Sequence, residues 1–360
     1  MRSGILGLPK SGKTTLFNTL TASRHETDKF AASKKTHVAV ATVPDPRLAR
    51  LRPLFNPRRY TPATVEVVDV PGLRKGEGAE SLDLAELRTV DALVHVVRAF
   101  DDPELLHPLG SVDPARDVAS VDLDLVLADM EVVEKRLDRL RRASKSGPKP
   151  EETRELELLA EVVMPALEEE KPLRAVALAA DDDKRLRGFQ LLSAKPMLRV
   201  LNVGEDRVAT ASAADFGMSG SGMGDANTRT VVVSAPIEHE IAQLGADEQR
   251  EFLDDLGLAE PSLDRVLRET YELLGLISFF TVGEDEVRAW TIRRGTRARE
   301  AGGAIHSDIA RGFIRAEVVF WEDLARLKTL AACREQGLLR LEGKDYEVKD
   351  GDVAHFRFNV

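Results

Sequence analysis

Short apolar runs and amphipathic stretches alternate along the first third of the chain, and the pattern returns near residue 197. Such alternation predicts a sheet of mostly parallel strands covered by helices. The predicted strands are residues 5–6, 38–43, 65–68, 92–97, 197–202 and 230–234. The run at 92–97 is almost continuously apolar, as expected for a strand buried on both faces. The sequence therefore predicts an α/β domain.

A second pattern, with apolar residues at alternating steps of four and three, occupies residues 118–187 in the middle of this domain. The two stripes consist of Val126, Met130, Val133, Leu137 and Leu140, and of Leu156, Leu159, Val163 and Leu167. Helices that pack on each other carry such stripes, and the Ser-, Gly- and Pro-rich segment 144–150 supplies a turn between them. We predict an antiparallel helical hairpin inserted into the α/β domain.

The last part of the chain combines short strand patterns with glycine-containing turns and many arginines. Its end has strand patterns at 346–348 and 355–358 around an Asp-Gly turn, which predicts a β-hairpin. We expect a small β-grasp-like or barrel-like domain there. The predicted organisation is an α/β domain over 1–117 and 188–277, the hairpin over 118–187 and a C-terminal domain over 278–360.

Composition narrows the classes of protein that need to be considered. With 43% hydrophobic residues among 360, wholesale disorder is excluded, and the single cysteine, Cys333, rules out a disulfide framework or a cysteine-ligated zinc site. A glycine-rich motif from Gly7 argues against a secretory leader, and the apolar runs are too short for a membrane span. The net charge of −10 argues against a wholly electrostatic nucleic-acid binder. We expect a cytoplasmic protein with neither a membrane nor DNA as partner.

The motif G-x-x-x-x-G-K-[ST] is matched at every fixed position by residues 7–14, between a predicted strand and a predicted helix. In this motif backbone N–H groups surround phosphate oxygens at the positive end of the helix. Lys13 is expected to bridge the β- and γ-phosphates, and the Thr14 hydroxyl to bind Mg²⁺. The predicted phosphate-binding residues are Gly7, Leu8, Pro9, Lys10, Ser11, Gly12, Lys13, Thr14 and Thr15.

Asp69-Val70-Pro71-Gly72 follows the predicted strand 65–68, at the same edge of the sheet as the phosphate loop. A carboxylate at the end of a neighbouring strand is where P-loop enzymes place their second Mg²⁺ support. We therefore predict that Asp69 supports the metal and that the Gly72 N–H senses the γ-phosphate.

Asn202-Val203-Gly204-Glu205 ends a later strand, where a nucleotide-binding sheet reads the base. GTP-specific proteins have N-K-x-D there, so Val203 removes the lysine stem and Glu205 is one methylene longer than the usual aspartate. Because a broken hydrogen-bond pattern changes selectivity strongly, we expect weakened guanine preference and acceptance of adenine. Backbone contacts to the base are expected from Ser234, Ala235 and Pro236, which follow the next strand.

Beyond these motifs, collinear segments make the chain resemble the YchF-type Obg-like ATPases, within the Obg-related branch of P-loop GTPases. The segments are residues 43–48, 94–100, 110–114, 286–292, 302–314 and 343–360. The resemblance implies a G domain with an inserted helical hairpin and a C-terminal TGS domain. It also implies use of ATP over or alongside GTP, slow hydrolysis, and association with the ribosome or ribosomal RNA through the TGS domain and the hairpin.

The residue that orients the attacking water is not given directly by a motif. Leu73 occupies the place where many GTPases have a water-orienting glutamine, and the resemblance assigns that role to His107, whose imidazole can orient or deprotonate water. His95 is expected to be a core histidine. The predicted catalytic residues are His107, Lys13 and Gly72.

Two positions near the phosphates depart from the family pattern. Lys10 stands where the family usually has asparagine, and we expect its ammonium to replace a monovalent cation beside the phosphates. Ser33 and Thr36 both carry a hydroxyl able to close on Mg²⁺, and the sequence leaves both open. The predicted metal ligands are Thr14, Asp69 and Thr36.

Arginines cluster in the C-terminal domain of this acidic protein, which favours a local contact with a phosphate backbone. They are Arg288, Arg293, Arg294, Arg297, Arg299, Arg311 and Arg315. The function predicted is a Mg²⁺-dependent ATPase acting as a slow ribosome-associated switch. A GTP-specific GTPase and a non-catalytic, nucleotide-gated ribosome- or RNA-binding protein are the alternatives.

Overall fold

In this computed structural model the described residues are 1–21, 37–70, 82–144, 149–218 and 227–359. They form two units, one made of Met1–Val40 and Glu66–Leu273 and the other of Ala41–Val65 and Leu274–Val360. Within the described ranges, no helix has both the length and the apolar character needed to cross a bilayer.

The sheet of the first unit has six strands. They are β1 (Arg2–Leu6), β2 (His37–Thr42), β4 (Thr64–Asp69), β5 (Ala92–Ala99), β6 (Met197–Val203) and β7 (Thr228–Val233), in the order β2-β4-β1-β5-β6-β7. From β4 to β7 all neighbours pair in parallel. Every residue of β5 and β6 is buried, as their apolar sequences predict. The carboxyl ends of the parallel strands meet at one edge, where α/β sheets bind their ligands.

Nine helices belong to the described part of this unit. They are α1 (Lys13–Thr21), α3 (Leu82–Thr89), α4 (Pro114–Ser144), α5 (Pro150–Leu158), α6 (Met164–Glu168), α7 (Ala180–Leu186), α8 (Ala235–Ile241), α9 (Ala246–Asp255) and α10 (Ser262–Leu273). A single π-helical turn, Leu159–Val163, joins α5 to α6. The predicted α/β class with a P-loop domain is confirmed.

The helical hairpin consists of α4 and, packed on it, α5 and α6. The two predicted apolar stripes meet in one core cluster, where Val126, Val133 and Leu159 are fully buried. Helix α4 begins at Pro114, and the Asp113 carboxylate accepts the Arg116 N–H at 3.1 Å. A carboxylate and a proline are favourable at these two positions of a helix start, so the boundary is encoded locally.

Two buried carboxylates of α4 attach the hairpin to the sheet domain. Asp129 is 0% exposed and accepts the backbone N–H groups of Leu192 at 2.9 Å and Ser193 at 2.7 Å. About two turns earlier, Asp122 contacts the guanidinium groups of Arg174 and Arg199. Because a buried carboxylate is stable only with such partners, these contacts fix where α4 leaves the sheet.

The second unit is built on a mixed sheet. Its strands are β3 (Arg59–Thr61), β8 (Leu276–Thr281), β9 (Glu286–Arg293), β10 (Phe313–Phe320), β11 (Arg340–Glu342) and β12 (Asp352–Phe358), in the order β11-β10-β12-β8-β9-β3. Its helices are α2 (Pro46–Phe55), α11 (Ala298–Ile305), α12 (Ser307–Arg311), α13 (Trp321–Leu327) and α14 (Leu330–Glu335). Phe279, Ala298 and Ala301 lie at the centre of its core.

Residues 41–65 differ from the predicted organisation, which assigned them to the α/β domain. The structure groups them with the C-terminal unit, because β3 pairs in parallel with β9 and the Thr61 hydroxyl donates to Glu286 at 2.6 Å. A three-residue strand followed by Pro62 gives no periodic signal that would have indicated this pairing.

The predicted C-terminal β-hairpin is wrong in its first strand. Glu347 makes only a single bridge, with Arg297, and the following turn is held by side chains instead. Asp352 accepts the Tyr346 hydroxyl at 2.8 Å and the Lys349 N–H at 2.9 Å. These contacts turn the chain into β12 without strand pairing, so the Asp-Gly signal marked a turn but not a hairpin.

Candidate nucleotide-binding site

The phosphate-binding motif forms a tight loop between β1 and α1. Gly7 and Gly12 have φ angles of +146° and +97°, which side chains other than glycine rarely adopt. A Cβ at Gly7 would lie 2.3 Å from the Val96 carbonyl oxygen, and one at Gly12 would lie 2.4 Å from Asn202 Nδ2. Both positions therefore favour glycine for two reasons: a positive φ angle, and a neighbouring atom too close to allow a side chain.

Lys13, the first residue of α1, is buried under this loop. Its Nζ donates to the carbonyl oxygens of Gly7 at 3.1 Å and Leu8 at 2.8 Å. Burial lowers the pKa of Lys13 from 10.5 to about 8, against the opposing effect of the Asp69 carboxylate. The ammonium is thus held inside the loop by weak neutral acceptors, and a polyanion would be a better partner.

A hydroxyl and a carboxylate meet beside Lys13. Thr14 Oγ1 donates to Asp69 Oδ2 at 3.1 Å, and Asp69, at the end of β4, is 4% exposed. Oxygen ligands of this kind suit Mg²⁺, which takes one or two protein ligands and completes its shell with phosphates and water. The pair therefore fits the predicted metal, although no group of three or more His, Cys, Asp or Glu suited to a metal occurs in the ranges described.

The other members of the phosphate loop differ in exposure. Leu8, Pro9 and Thr15 are half-buried, Lys10 is exposed, and Ser11 is 1% exposed. Lys10 has a φ of +64°, in the left-handed region that asparagine tolerates better than lysine. Lys10 therefore has a backbone conformation that is uncommon for lysine.

Asn202 joins the phosphate loop to the loop after β7. Its Nδ2 donates to the Ser11 carbonyl at 3.0 Å, and its Oδ1 accepts the Ala235 N–H at 3.0 Å. The side chain is 3% exposed, so both bonds are shielded from water. Asn202 therefore connects the phosphate loop to the start of α8. The Ala235 N–H, which was expected among the backbone contacts to the base, is hydrogen-bonded within the protein.

The remaining residues predicted to contact the base are spread between core and surface. Val203 is 1% exposed and packs with Val208 and Ile237, so only its backbone is available to a ligand. Glu205 is exposed in a short 3₁₀ turn, Glu205–Arg207. Ser234 is fully buried, and Pro236 is exposed in the first turn of α8.

His107 lies in a narrow cleft next to the phosphate loop, in the segment between β5 and α4. Leu8, Pro9, Ser11, His95, Val96, Val97, Arg98 and Asp117 also line the cleft. Its Nε2 lies 2.9 Å from Asp117 Oδ2, and its Nδ1 accepts the Leu109 N–H at 3.1 Å. The structure thus brings His107 close to the phosphate loop, with Nδ1 hydrogen-bonded to the backbone and Nε2 next to the Asp117 carboxylate.

The buried His95 faces the same cleft. Burial lowers its pKa to about 3, so the ring is neutral, and its Nδ1 has no hydrogen-bond partner among the described residues. His95 is therefore a core histidine, as expected, but one whose hydrogen-bonding capacity is not fully used.

Two residues that sequence reasoning missed shape this region. Arg98, 3% exposed, donates to the carbonyl oxygens of Phe100 at 3.1 Å, Leu105 at 2.9 Å and Asp102 at 3.3 Å. Asp117, 2% exposed in the first turn of α4, faces His107. Arg98 could have been noticed as a charged residue near the end of an otherwise apolar strand. The sequence around Asp117 contains no comparable signal.

Three predicted residues, Gly72, Thr36 and Ser33, lie outside the described residues. Their assignments to the γ-phosphate and to Mg²⁺ remain predictions from the sequence.

Most of the clustered arginines of the second unit have partners within it. Arg297 pairs with Asp345 at 3.0 Å, Arg311 pairs with Asp308, and Arg299 donates to the Ala310 carbonyl. Arg288 lies over the ring of Trp290, with its Cζ 3.9 Å from the centroid. The exposed members of this cluster whose side chains have neither a hydrogen bond nor an ion pair among the described residues are Arg293, Arg294 and Arg315.

Comparison with known proteins identifies relatives of this chain. The YchF-GTPase_C sequence model, described as a protein of unknown function, matches residues 276–359, and a model described as 50S ribosome-binding GTPase matches residues 2–121. The ribosome-binding ATPase YchF of Bacillus subtilis is 43% identical over 366 residues, covering 100% of both chains. The chain belongs to the YchF family of Obg-like P-loop NTPases. A YchF protein of Haemophilus ducreyi with the same name is 42% identical over 100% of this chain and 99% of its own.

A solved YchF structure confirms the architecture. The YchF GTPase of Schizosaccharomyces pombe has a TM-score of 0.85 and 31% identity, covering 99% of this chain and 97% of that chain. Its fold agrees with a P-loop domain followed by a β-rich C-terminal unit, as described above.

Proposed function

We propose that this YchF-family chain is a Mg²⁺-dependent nucleoside triphosphatase that hydrolyses ATP, with relaxed selectivity against GTP, as a slow ribosome-associated switch in the cytoplasm. The observation that carries the proposal is the Thr14–Asp69 contact of 3.1 Å beside the buried Lys13. A loop of backbone N–H groups, an ammonium and a pair of oxygen ligands together suit a magnesium-bound triphosphate. The ATPase names of the bacterial relatives support this choice of substrate.

In this proposal each group has a stated task. The backbone of residues 7–14 and the Lys13 ammonium hold the phosphates, and Thr14 and Asp69 hold the metal, with Thr36 and Gly72 closing from the switch segments. Bound Mg²⁺ would neutralise charge that develops between the β- and γ-phosphates. His107 would orient the attacking water, because Leu73 cannot form a hydrogen bond to it.

Base selectivity is the first part to test. Calorimetric titration with ATP and with GTP should show binding of both by the wild type, and Glu205→Asp should shift the preference towards GTP. Asp206→Glu, a change of one methylene in the neighbouring carboxylate, is the matched control and should leave the ratio unchanged. Strong GTP preference in the wild type would favour the GTP-specific alternative, and no heat with either nucleotide would refute the proposal.

Ribosome association is proposed from the names of the relatives and from three exposed arginines that have no ion pair in the described part of the second unit. Replacing Arg293, Arg294 and Arg315 by glutamine should weaken cosedimentation with ribosomes and flatten its salt dependence. Arg311→Gln is the control, since Asp308 already neutralises that guanidinium. Association that is independent of salt would contradict the contact with ribosomal RNA.

A non-catalytic, nucleotide-gated binding protein is the second candidate, favoured by the placement of His107, whose Nδ1 is hydrogen-bonded and whose Nε2 faces Asp117. Single-turnover hydrolysis separates the two. Measurable turnover that is lost in Lys13→Ala supports the enzyme, whereas tight nucleotide binding with no turnover supports the binding protein.

A further inference from the structure

His107 is held with one ring nitrogen hydrogen-bonded to the backbone and the other next to a carboxylate. Nδ1 accepts the Leu109 N–H at 3.1 Å, so the proton of a neutral ring is on Nε2, which lies 2.9 Å from Asp117 Oδ2. Both side chains are nearly inaccessible, at 4% and 3% exposure. The surrounding chain therefore shields most of both side chains from solvent.

This geometry differs from that of an activating carboxylate–imidazole pair. In such a pair the carboxylate orients one ring nitrogen, and the other nitrogen stays free to act as a base. Here the second nitrogen is occupied by the backbone of the same loop. We propose that Asp117 is a positioning residue that holds His107 in an idle arrangement, and that hydrolysis requires the imidazole to leave Asp117. The inference rests on the proposed function.

The segment that carries His107 lies between two points that arginine side chains hold in place. Upstream, Arg98 holds three carbonyl groups of residues 100–105. Downstream, Arg116 donates to Ser111 Oγ at 3.0 Å and to Asp117 Oδ1 at 2.8 Å. Between them residues 107–110 form a single turn, closed by a hydrogen bond from the Gly110 N–H to the His107 carbonyl at 3.0 Å.

The contact itself is suited to opening. No described donor is aligned for a hydrogen bond with Asp117 Oδ2, although Nε2 is close to it, so the attraction is electrostatic and only partly directional. Beside the turn, Leu106 is 80% exposed, which gives a partner an apolar side chain to bind. Gly110 has a φ of +89°, a backbone conformation that favours glycine, and a Cβ built there would have no atom within 4 Å.

The test compares four variants of the full chain: Asp117→Asn, His107→Ala, the double variant and Asp113→Asn. Removing the charge at Asp117 should raise the single-turnover rate at saturating Mg-ATP about two- to tenfold, the range set by one net hydrogen-bond-strength contact. The dissociation constant for ATP should stay unchanged. Asp113→Asn is the matched control, because asparagine still caps α4 and the residue does not contact His107 in the described structure.

The double variant decides whether Asp117 acts through His107. The rate increase should disappear in the His107→Ala background, and ¹⁵N spectra of the histidine rings should show that Asp117→Asn alters the His107 Nε2 signal. A rate in Asp117→Asn that is unchanged, that falls, or that rises equally without His107 would overturn the inference. Absence of nucleotide binding by the wild type would refute the proposed function instead, and the ring spectra would still test the contact.

Discussion

The depressed pKa of Lys13 predicts that nucleotide binding takes up a proton. In the free protein this pKa is about 8, because burial disfavours the ammonium. A triphosphate in the loop adds several negative charges next to Nζ and favours the charged form. Binding near pH 8 should therefore protonate those molecules in which Lys13 is neutral.

The magnitude follows from the two pKa values. If bound phosphates return the pKa to 10.5 or above, uptake should be about 0.1 proton per site at pH 7, about 0.5 at pH 8 and about 0.9 at pH 9. The dissociation constant should rise about tenfold between pH 7 and pH 9, because binding at the higher pH also requires the protonation of Lys13. Phosphate groups titrate near pH 6, so the range from 8 to 9 isolates the lysine.

Calorimetry in two buffers of equal pH and different ionisation enthalpy measures this uptake directly. A non-hydrolysable ATP analogue with Mg²⁺ avoids heat from turnover. Lys13→Arg is the control, because a guanidinium stays charged throughout this range and its binding should show no uptake. Zero uptake or proton release between pH 8 and pH 9 in the wild type would refute the argument that burial neutralises Lys13.

Other substitutions test stability and ion dependence. Lys13→Met should raise the free energy of unfolding of the nucleotide-free protein by up to about 3 kcal/mol, because the cost of burying an ammonium disappears. The full cost is present below pH 8 and vanishes above pH 10.5. The stability difference between Lys13→Met and the wild type, measured by thermal denaturation, should therefore shrink across that interval. Asn202→Ala leaves two buried backbone groups without partners and should cost about 2–5 kcal/mol in denaturant titrations, with weaker nucleotide binding. Asp129→Ala should cost about 3–5 kcal/mol, whereas Asp138→Ala on the exposed face of the same helix should stay within about 0.5 kcal/mol. Hydrolysis by the wild type should be equal in potassium and sodium chloride, and Lys10→Asn should acquire potassium stimulation; stimulation already present and unchanged by the substitution would contradict this.

The phosphate loop and the strands of the parallel sheet could be predicted because their signals are local. Glycines at Gly7 and Gly12 encode backbone conformation directly, and the apolar runs of β5 and β6 encode burial. The helical hairpin could be predicted from its two apolar stripes for the same reason, since every third or fourth residue of a helix lies on the same face.

Contacts between distant or irregular segments could not be predicted in this way. The approach of Asp117 to His107 depends on the path of a loop whose shape is fixed by Arg98, and neither polar pairing nor loop path has a periodic signature. Asn202 was expected to border the base, and nothing in the sequence indicated that its amide would also join two loops. Hydrogen bonds of this kind satisfy the backbone of neighbouring segments, which a linear sequence does not reveal.

The discontinuous second unit has a consequence for synthesis of the chain. Thr61 of β3 and its partner Glu286 of β9 are separated by 225 positions. At common elongation rates, β3 and α2 leave the ribosome roughly 10 to 45 seconds before the strands that complete their sheet. During that interval the edge of β3 is unpaired, so nascent chains stalled before residue 276 should expose these residues to protease, and longer ones should protect them.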